Sequence, residues 1–396
     1  MNSPVSIAPP ALRAELPKSS VARLSLAYAI ATNGMILTPF LVAAVMLRFH
    51  LQEGIATQVA GVEILGVALS CALLPRWISR AAGFFTIAGV LGTIVGQAVS
   101  IVAPTVLLIG IVRGVTGIFE GVLFVVVASG ISQRASADRL WGQINVIAGI
   151  INGGILVVIS YLPSAWLGQG VFMLLVGVCI VMAPAIHGIG EFARHVTQAR
   201  SRNRLPLKLV LTIWVVTVLI YGVQASQWAV AGIVGAHAGL STWTVGILLS
   251  LSSLLGFAGA VIPSQRSSRK HRLVIIFAAQ MVMIGSLIWF FGSTGNKSYF
   301  LSQLALNCAF FAIIPFLTGL LSEVDPDGSL VARTVVVTFV GGGVGTAVAG
   351  DLLTQYGGMH FAYVLCIGVA AAVPFVWLAL RGATAHNMQT GGHQMS

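Results

Sequence analysis

Long apolar blocks alternate with short polar segments along almost the whole chain. A helix needs about 20 largely apolar residues to cross the hydrocarbon core of a bilayer. Runs of that kind lie near 24–48, 54–75, 81–103, 105–131, 140–162, 169–187, 208–233, 242–263, 273–292, 298–321, 331–353 and 359–380. Each run predicts one membrane-spanning helix, so the pattern predicts an all-α polytopic membrane protein with twelve spans.

A repeat divides the twelve predicted spans into two groups of six. The second and eighth spans end in an apolar stretch closed by a proline, Pro75 or Pro263, and a basic turn follows each proline. Matched six-span blocks predict two bundles related by an axis along the membrane normal, with a site between them near the midplane. The predicted parts are a polar segment (1–22), a first bundle (23–187), a cytoplasmic linker (188–207), a second bundle (208–381) and a cytoplasmic tail (382–396).

The composition agrees with a membrane location and sets the expected orientation. Apolar residues make up 57% of the chain and charged residues 8%, whereas soluble domains have about 45–50% and 25%. With the N-terminus inside, 18 of the 21 Lys and Arg residues lie on the cytoplasmic side. Since cytoplasmic loops retain basic residues, both termini are predicted to be cytoplasmic. This distribution explains the net charge of +11 without a nucleic-acid partner.

Further expectations follow from motifs that the sequence lacks. The first 20 residues have no apolar segment typical of a cleaved signal peptide, so a polar leader is expected. The four cysteines are isolated in apolar runs, and no metal-ligand pair or nucleotide-binding GxxxxGK[ST] occurs. We therefore expect no metal or other cofactor, and a proton gradient rather than ATP as the energy source. We also expect a monomer in the cytoplasmic (inner) membrane.

Three ionisable residues lie deep inside the predicted spans, away from their ends: Glu63, Arg113 and Glu120. Such residues cost about 2.5–3.5 kcal/mol each on insertion scales, so their presence suggests a function. Arg113 and Glu120 are nearly two helical turns apart and share one face of the fourth span. Arg113 would hold a substrate anion or pair with a carboxylate, while Glu63 or Glu120 would exchange a proton. The alternative is a static ion pair that fixes helix packing.

Polar and aromatic residues also recur at helical spacing. On the seventh span they indicate one face that contacts protein or water, because an amide in lipid needs a polar partner. The alternative is hydrogen bonding between helices with interfacial anchoring. Together with polar positions of the first and tenth spans, the candidate cavity-lining residues are Tyr28, Thr32, Asn33, Tyr221, Gln224, Trp228, Gln303 and Asn307.

Two segments resemble motifs of the major facilitator superfamily of secondary transporters. The segment from Arg113 to Gly121 is similar to that family's RxxxGxxEG form. The turn after the second span resembles a degraded GxxxDRxGRR signature in which Pro75 replaces the aspartate and Arg76 and Arg80 remain. The resemblance implies the major facilitator fold, a central cavity surrounded by spans one, four, seven and ten, and a gating loop at Arg76 and Arg80.

The predicted function is secondary active transport of a small organic solute by alternating access, coupled to protons. Arg113 favours an organic anion as that solute. The alternatives are proton-driven efflux of amphipathic compounds and, less favoured, a lipid flippase. No enzymatic activity is expected, because a lipid-modifying enzyme would need paired carboxylates with His or a metal site near an interface, which the short outer segments lack.

Overall fold

The computed structural model describes residues 16–132, 134, 137–193, 206–264, 271–324 and 329–391. Much of the predicted polar segment, the central linker from 194 to 205 and the end of the tail lie outside these residues. The described chain forms the α-helices α1 Lys18–Ala31, α2 Asn33–Ile36, α3 Thr38–Phe49, α4 Glu53–Leu73, α5 Pro75–Val102, α6 Val106–Ile131, α7 Ala137–Ser160, α8 Ser164–Ile186, α9 Gly190–Ala193, α10 Leu207–Ala229, α11 Ala231–His237, α12 Thr242–Gly256, α13 Val261–Ser264, α14 Arg272–Phe291, α15 Gly295–Val324 and α16 Ser329–Gly391.

Ten helices of the described chain are long and apolar enough to cross a membrane. Their outward side chains are apolar as well; Leu107 and Val181 are 75% and 79% exposed. Apolar surface of this extent faces lipid rather than water. The multi-pass membrane prediction is therefore confirmed.

The first predicted span differs from a single helix, because it is broken into α1, α2 and α3. The breaks lie at Thr32 and Leu37. The second break has a local cause: Pro39 has no N–H to donate to the carbonyl four residues earlier. The hydroxyl of Thr38 donates instead to the carbonyls of Met35, at 2.8 Å, and Gly34, at 2.6 Å.

The last two predicted spans form one continuous apolar segment of α16, from Arg333 to Ala383. At about 1.5 Å per residue its 51 residues would extend about 77 Å, more than twice the ~30 Å hydrocarbon thickness. The segment bends at Gly357, where φ is 76° and ψ is 164°. This conformation is essentially restricted to glycine.

The buried core divides at the central linker. One cluster of buried apolar side chains contains residues from 209 to 383 only. Two further clusters are built from residues 21–193, with Phe339 as the one buried member from the second half. Each half therefore packs mainly on itself.

The two halves meet along α4 and α16, which we call the α4–α16 seam. Gly61 lies against Gly343 and Ala347, so the backbones approach closely. Thr57 accepts a hydrogen bond from the N–H of Gly350 at 3.0 Å. At the end of the seam Gln58 donates to Asp351 at 2.8 Å, and Thr354 donates to Glu53 at 2.9 Å.

A second contact between the halves joins α7 to α12. The Ser250 hydroxyl donates to the carbonyl of Gly153 at 3.0 Å. Gly246 lies directly against Ser160. Small residues and hydroxyl groups are typical of close helix contacts in membranes.

Candidate functional site

Glycines bring α4 and α6 into direct backbone contact. A Cβ on Gly117 would overlap the backbone oxygen of Glu63, and a Cβ on Gly66 would overlap that of Gly114. The Ser70 hydroxyl donates to the carbonyl of Ile118 at 2.7 Å and fixes the same contact further along. Any larger side chain would separate the helices, so the glycines place Glu63 opposite the ionisable face of α6.

Arg113 binds Glu63 with two parallel hydrogen bonds. Its Nε donates to Glu63 Oε2 at 2.9 Å, and its Nη2 donates to Glu63 Oε1. Its Nη1 donates to Oε1 of Gln97 on α5 at 2.7 Å. All three side chains are buried, and a bidentate pair of this kind is the strongest arginine–carboxylate geometry.

Gln97 is a site residue that the sequence interpretation missed. It is the one amide side chain in the predicted third span, and a lone amide in hydrocarbon needs a partner from another helix. The lone amide is visible in the sequence. Its partner, Arg113, cannot be identified from the sequence, because the pairing depends on how α5 packs against α6.

Apolar groups enclose the ion pair. The guanidinium carbon of Arg113 lies 5.5 Å from the ring centre of Phe172 on α8. Leu41 and Val45 on α3 and Val59 on α4 line the narrow space beside the pair. Weak dielectric screening strengthens the pairing, and the guanidinium is occupied by protein groups.

Glu120 is the second buried carboxyl group of the site. Its side chain is fully buried, and neither of its oxygens has a hydrogen-bond partner of normal geometry. A Cβ built on Gly34 would lie 2.5 Å from Glu63 Oε1 and 2.9 Å from Glu120 Oε2. The two carboxyl groups are therefore neighbours, and they meet where Gly34 of α2 leaves room for them.

In the second half, α10 and α15 share a network of amide side chains. Gln224 donates to Asn307 Oδ1 at 3.0 Å, Gln227 donates to Gln303 Oε1 at 2.7 Å, and Gln303 donates to Asn307 Oδ1 at 3.3 Å. Gln224 Oε1 and Asn307 Nδ2 have no partner. This network unites three predicted cavity residues and adds Gln227, and it retains one free acceptor and one free donor group.

Four aromatic side chains pack together beyond Glu120 along α6. We call this group the aromatic cluster: Tyr28, Phe124, Trp141 and Phe339. Tyr28 lies 5.7 Å from Phe124 and 5.6 Å from Trp141, measured between ring centres. Phe124 lies 5.0 Å from Phe339, at an interplanar angle of 90°. Because Phe339 belongs to α16, this cluster joins the two halves of the molecule.

The remaining predicted residues occupy separate positions. Thr32 accepts a hydrogen bond from Asn152 at 3.2 Å, whereas the amide of Asn33 is buried without a partner. Tyr221 packs edge-on against Phe310 at 5.2 Å. Trp228 donates to the carbonyl of Ile36 at 3.0 Å and so links the two halves.

The predicted gating arginines are exposed. The guanidinium of Arg76 lies 4.0 Å from the ring centre of its neighbour Trp77. Arg80 is exposed further along α5, next to the non-helical backbone at Ala81. Their role in gating stays a prediction.

Comparison with solved structures identifies the fold. The chain is similar to a D-xylose–proton symporter, with a TM-score of 0.67 and 14% identity over 90% of this chain and 96% of the symporter. It is similar to a nucleoside transporter (TM-score 0.66, 12% identity, 92% and 98% coverage) and a peptide transporter (0.66, 12%, 93% and 94%). No protein-family model and no curated protein matches the sequence. The chain thus has the fold of major facilitator transporters, which its motifs resemble.

Proposed function

We propose that this protein is a proton-coupled secondary transporter that moves a small organic solute across the cytoplasmic membrane by alternating access. The three similar structures are described as transporters of a sugar, nucleosides and peptides, and the first of them as a proton symporter. One observation carries the proposal for this chain: the buried carboxyl groups of Glu63 and Glu120 are neighbours, and the guanidinium of Arg113 is bound to Glu63 alone of the two.

The charge balance of this group supports proton exchange. The guanidinium balances the carboxylate of Glu63, to which it is bound twice. Glu120 then needs a proton or another cation, because an isolated carboxylate in apolar surroundings is strongly unfavourable. Cys179 on α8 is a further titratable group near Glu120, and Tyr28 on α1 contacts Phe124 one turn further along α6. We propose that Glu120 takes up and releases the coupling proton.

Alternating access requires the two halves to rock against each other. The α4–α16 seam and the aromatic cluster are both contacts between the halves, and opening either would expose the carboxyl pair to one side. Arg76 and Arg80 are retained as candidate gating residues at the end of the second span.

We also propose the predicted topology for the whole chain. The pieces α1 to α3 together form one crossing, and α16 forms two crossings that meet at Gly357. With the other nine spans this gives twelve crossings in bundles 23–187 and 208–381, joined by the cytoplasmic linker 188–207. Both termini are then cytoplasmic.

Proton-driven efflux of amphipathic compounds is the second candidate. The aromatic cluster favours it, because apolar rings beside a carboxyl group suit a solute with an apolar part. An organic anion is less favoured than the sequence suggested, since Arg113 is already bound by Glu63 and Gln97.

The proposal is tested with purified protein in proteoliposomes that contain a trapped pH-sensitive dye. Organic acids, sugars, amino acids and amphipathic cations are first screened by thermal shift, and each stabilising solute is then added under an imposed pH gradient. A solute that changes the proton flux supports coupling. Solute movement that ignores the pH gradient would refute it.

A further inference from the structure

Glu120 and the aromatic cluster lie next to each other on one face of α6. Phe124 follows Glu120 by four residues, so its ring stands one turn further along the same face. Phe124 contacts Tyr28 at 5.7 Å and Phe339 at 5.0 Å. The Glu120 carboxyl group, which accepts no hydrogen bond of normal geometry, is therefore one helical turn from a set of rings contributed by both halves of the molecule.

Two rings of this cluster keep accessible surface, while those of Phe124 and Phe339 are buried. Tyr28 and Trp141 are only partly buried, and they meet edge to face at 71°. An edge-to-face arrangement leaves ring faces available, and ring faces attract cations. The attraction is stronger when the cation is removed from water.

The charges of the site select against an anion and in favour of a cation. The positive group, Arg113, donates three hydrogen bonds to protein atoms. Glu120 accepts none of normal geometry. An anionic solute would meet Glu120 without a free cationic partner, whereas a cationic solute would supply the missing counter-charge.

We propose that the solute is an organic cation whose charged group binds Glu120 and whose apolar group packs against Tyr28, Phe124 and Trp141. This inference rests on the proposed function and names its substrate class. Proton and solute then compete for one carboxylate: the proton leaves Glu120 for water when the cation binds, and no covalent bond of the solute changes. Glu63, Arg113, Cys179 and Tyr28 are the other titratable groups that surround this exchange.

The test uses full-length protein in detergent and three probes with the same ring: benzyltrimethylammonium, benzyl alcohol and benzoate. Binding is measured by titration calorimetry, and proton release is followed in weakly buffered solution. We expect the cation to bind at least tenfold more tightly than the other two probes and to release a proton. Glu120→Gln should weaken cation binding at least tenfold and abolish proton release.

A matched control and a second variant keep the test decisive. Glu191→Gln alters an exposed carboxylate on α9 and should leave binding unchanged. Phe124→Leu retains all charges and should weaken cation binding severalfold, which provides a test even where Glu120→Gln fails to fold. Cation binding that neither variant changes would overturn the proposal.

The outcomes also separate this inference from the proposed function. Preferential binding of benzyl alcohol or benzoate with a coupled proton flux would overturn the cation assignment and leave proton-coupled transport intact. If no solute of the wider thermal-shift panel moved protons in proteoliposomes, both proposals would be refuted.

Discussion

At the scale of single residues, the site depends on the imbalance between two carboxyl groups and one guanidinium. Arg113 and Glu63 satisfy each other through two hydrogen bonds, while Glu120 lies beside Glu63 and accepts no hydrogen bond of normal geometry. A static ion pair that served only helix packing would not require Glu120. The extra carboxyl group is therefore the residue on which a functional interpretation depends.

Removing Arg113 separates its structural role from its functional one. Arg113→Ala leaves the Glu63 carboxylate buried without a partner, so we expect a loss of about 3–5 kcal/mol in stability together with loss of transport. The double variant Glu63→Gln/Arg113→Gln removes both charges and should regain most of the thermal stability in detergent without regaining transport. Transport in the double variant at the wild-type rate would contradict the assignment.

The sequence drew attention to the three ionisable residues that the structure brings together, but not to the partners of Arg113. Glu63, Arg113 and Glu120 stand out because charges are rare inside apolar runs. Pairing of Arg113 with Glu63, and the bond to Gln97, depend on the mutual rotation and depth of α4, α5 and α6. The helical period alone does not determine these quantities.

At the scale of helices, glycine positions decide which faces meet. Gly117 has no room for a Cβ, because the backbone of Glu63 occupies that space, whereas Gly154 on α7 has no neighbouring atom within 4 Å of a Cβ. The same substitution should therefore destabilise the protein at Gly117 and be tolerated at Gly154.

We expect Gly117→Ala to destabilise the protein by about 1–3 kcal/mol, the usual cost of overpacking, and to impair proton coupling by separating α4 from α6. Gly154→Ala is the control and should change the stability by less than about 0.5 kcal/mol. The unfolding midpoint in detergent measures both effects. Equal midpoints for the two variants would show that the α4–α6 contact tolerates a methyl group.

Helix boundaries were the least predictable feature at this scale. The apolar pattern indicated one continuous first span, but Thr32, Leu37 and Pro39 interrupt it. Conversely, a polar break was predicted between the last two spans, but α16 is interrupted there only by the non-helical backbone of Gly357. Hydropathy reports which segments are apolar, but turns inside an apolar segment depend on single backbone conformations.

Gly357 provides a direct test of that turn. Its φ and ψ values are open to glycine only, so Gly357→Ala should cost about 1–3 kcal/mol. Gly358→Ala alters the next residue, where a Cβ would make ordinary contacts with Phe291, and should be close to neutral. Unchanged thermal stability of Gly357→Ala would mean that the bend lies elsewhere.

At the scale of the whole molecule, two halves that pack mainly on themselves touch through polar and small residues along the α4–α16 seam and through the aromatic cluster. The α4–α16 seam combines close packing of small residues with hydrogen bonds such as those from Gln58 to Asp351 and from Gly350 to Thr57. Such contacts can break and reform, unlike a large apolar core. The repeat in the sequence led us to expect two six-helix bundles, which stays a prediction, and it gave no indication of which helices form the seam.

A reversible cross-link tests whether the seam must open. A Cβ on Gly54 would lie 2.8 Å from Cγ of Asp351, close enough for a disulfide after small adjustment. We expect oxidised Gly54→Cys/Asp351→Cys to stop transport and reductant to restore it, while each single variant remains active. Full transport by the oxidised pair would exclude movement at this seam.

The central claim, that Glu120 couples protons to solute movement, is tested most directly by comparing Glu120→Gln with wild type in proteoliposomes. A stabilising solute is supplied once under a pH gradient and once as exchange of labelled for unlabelled solute without a gradient. We predict that Glu120→Gln loses gradient-driven accumulation or expulsion of the solute and moves no protons. The variant should retain exchange where its solute still binds. The control Glu191→Gln should behave as wild type. Undiminished gradient-driven transport by Glu120→Gln would contradict the account.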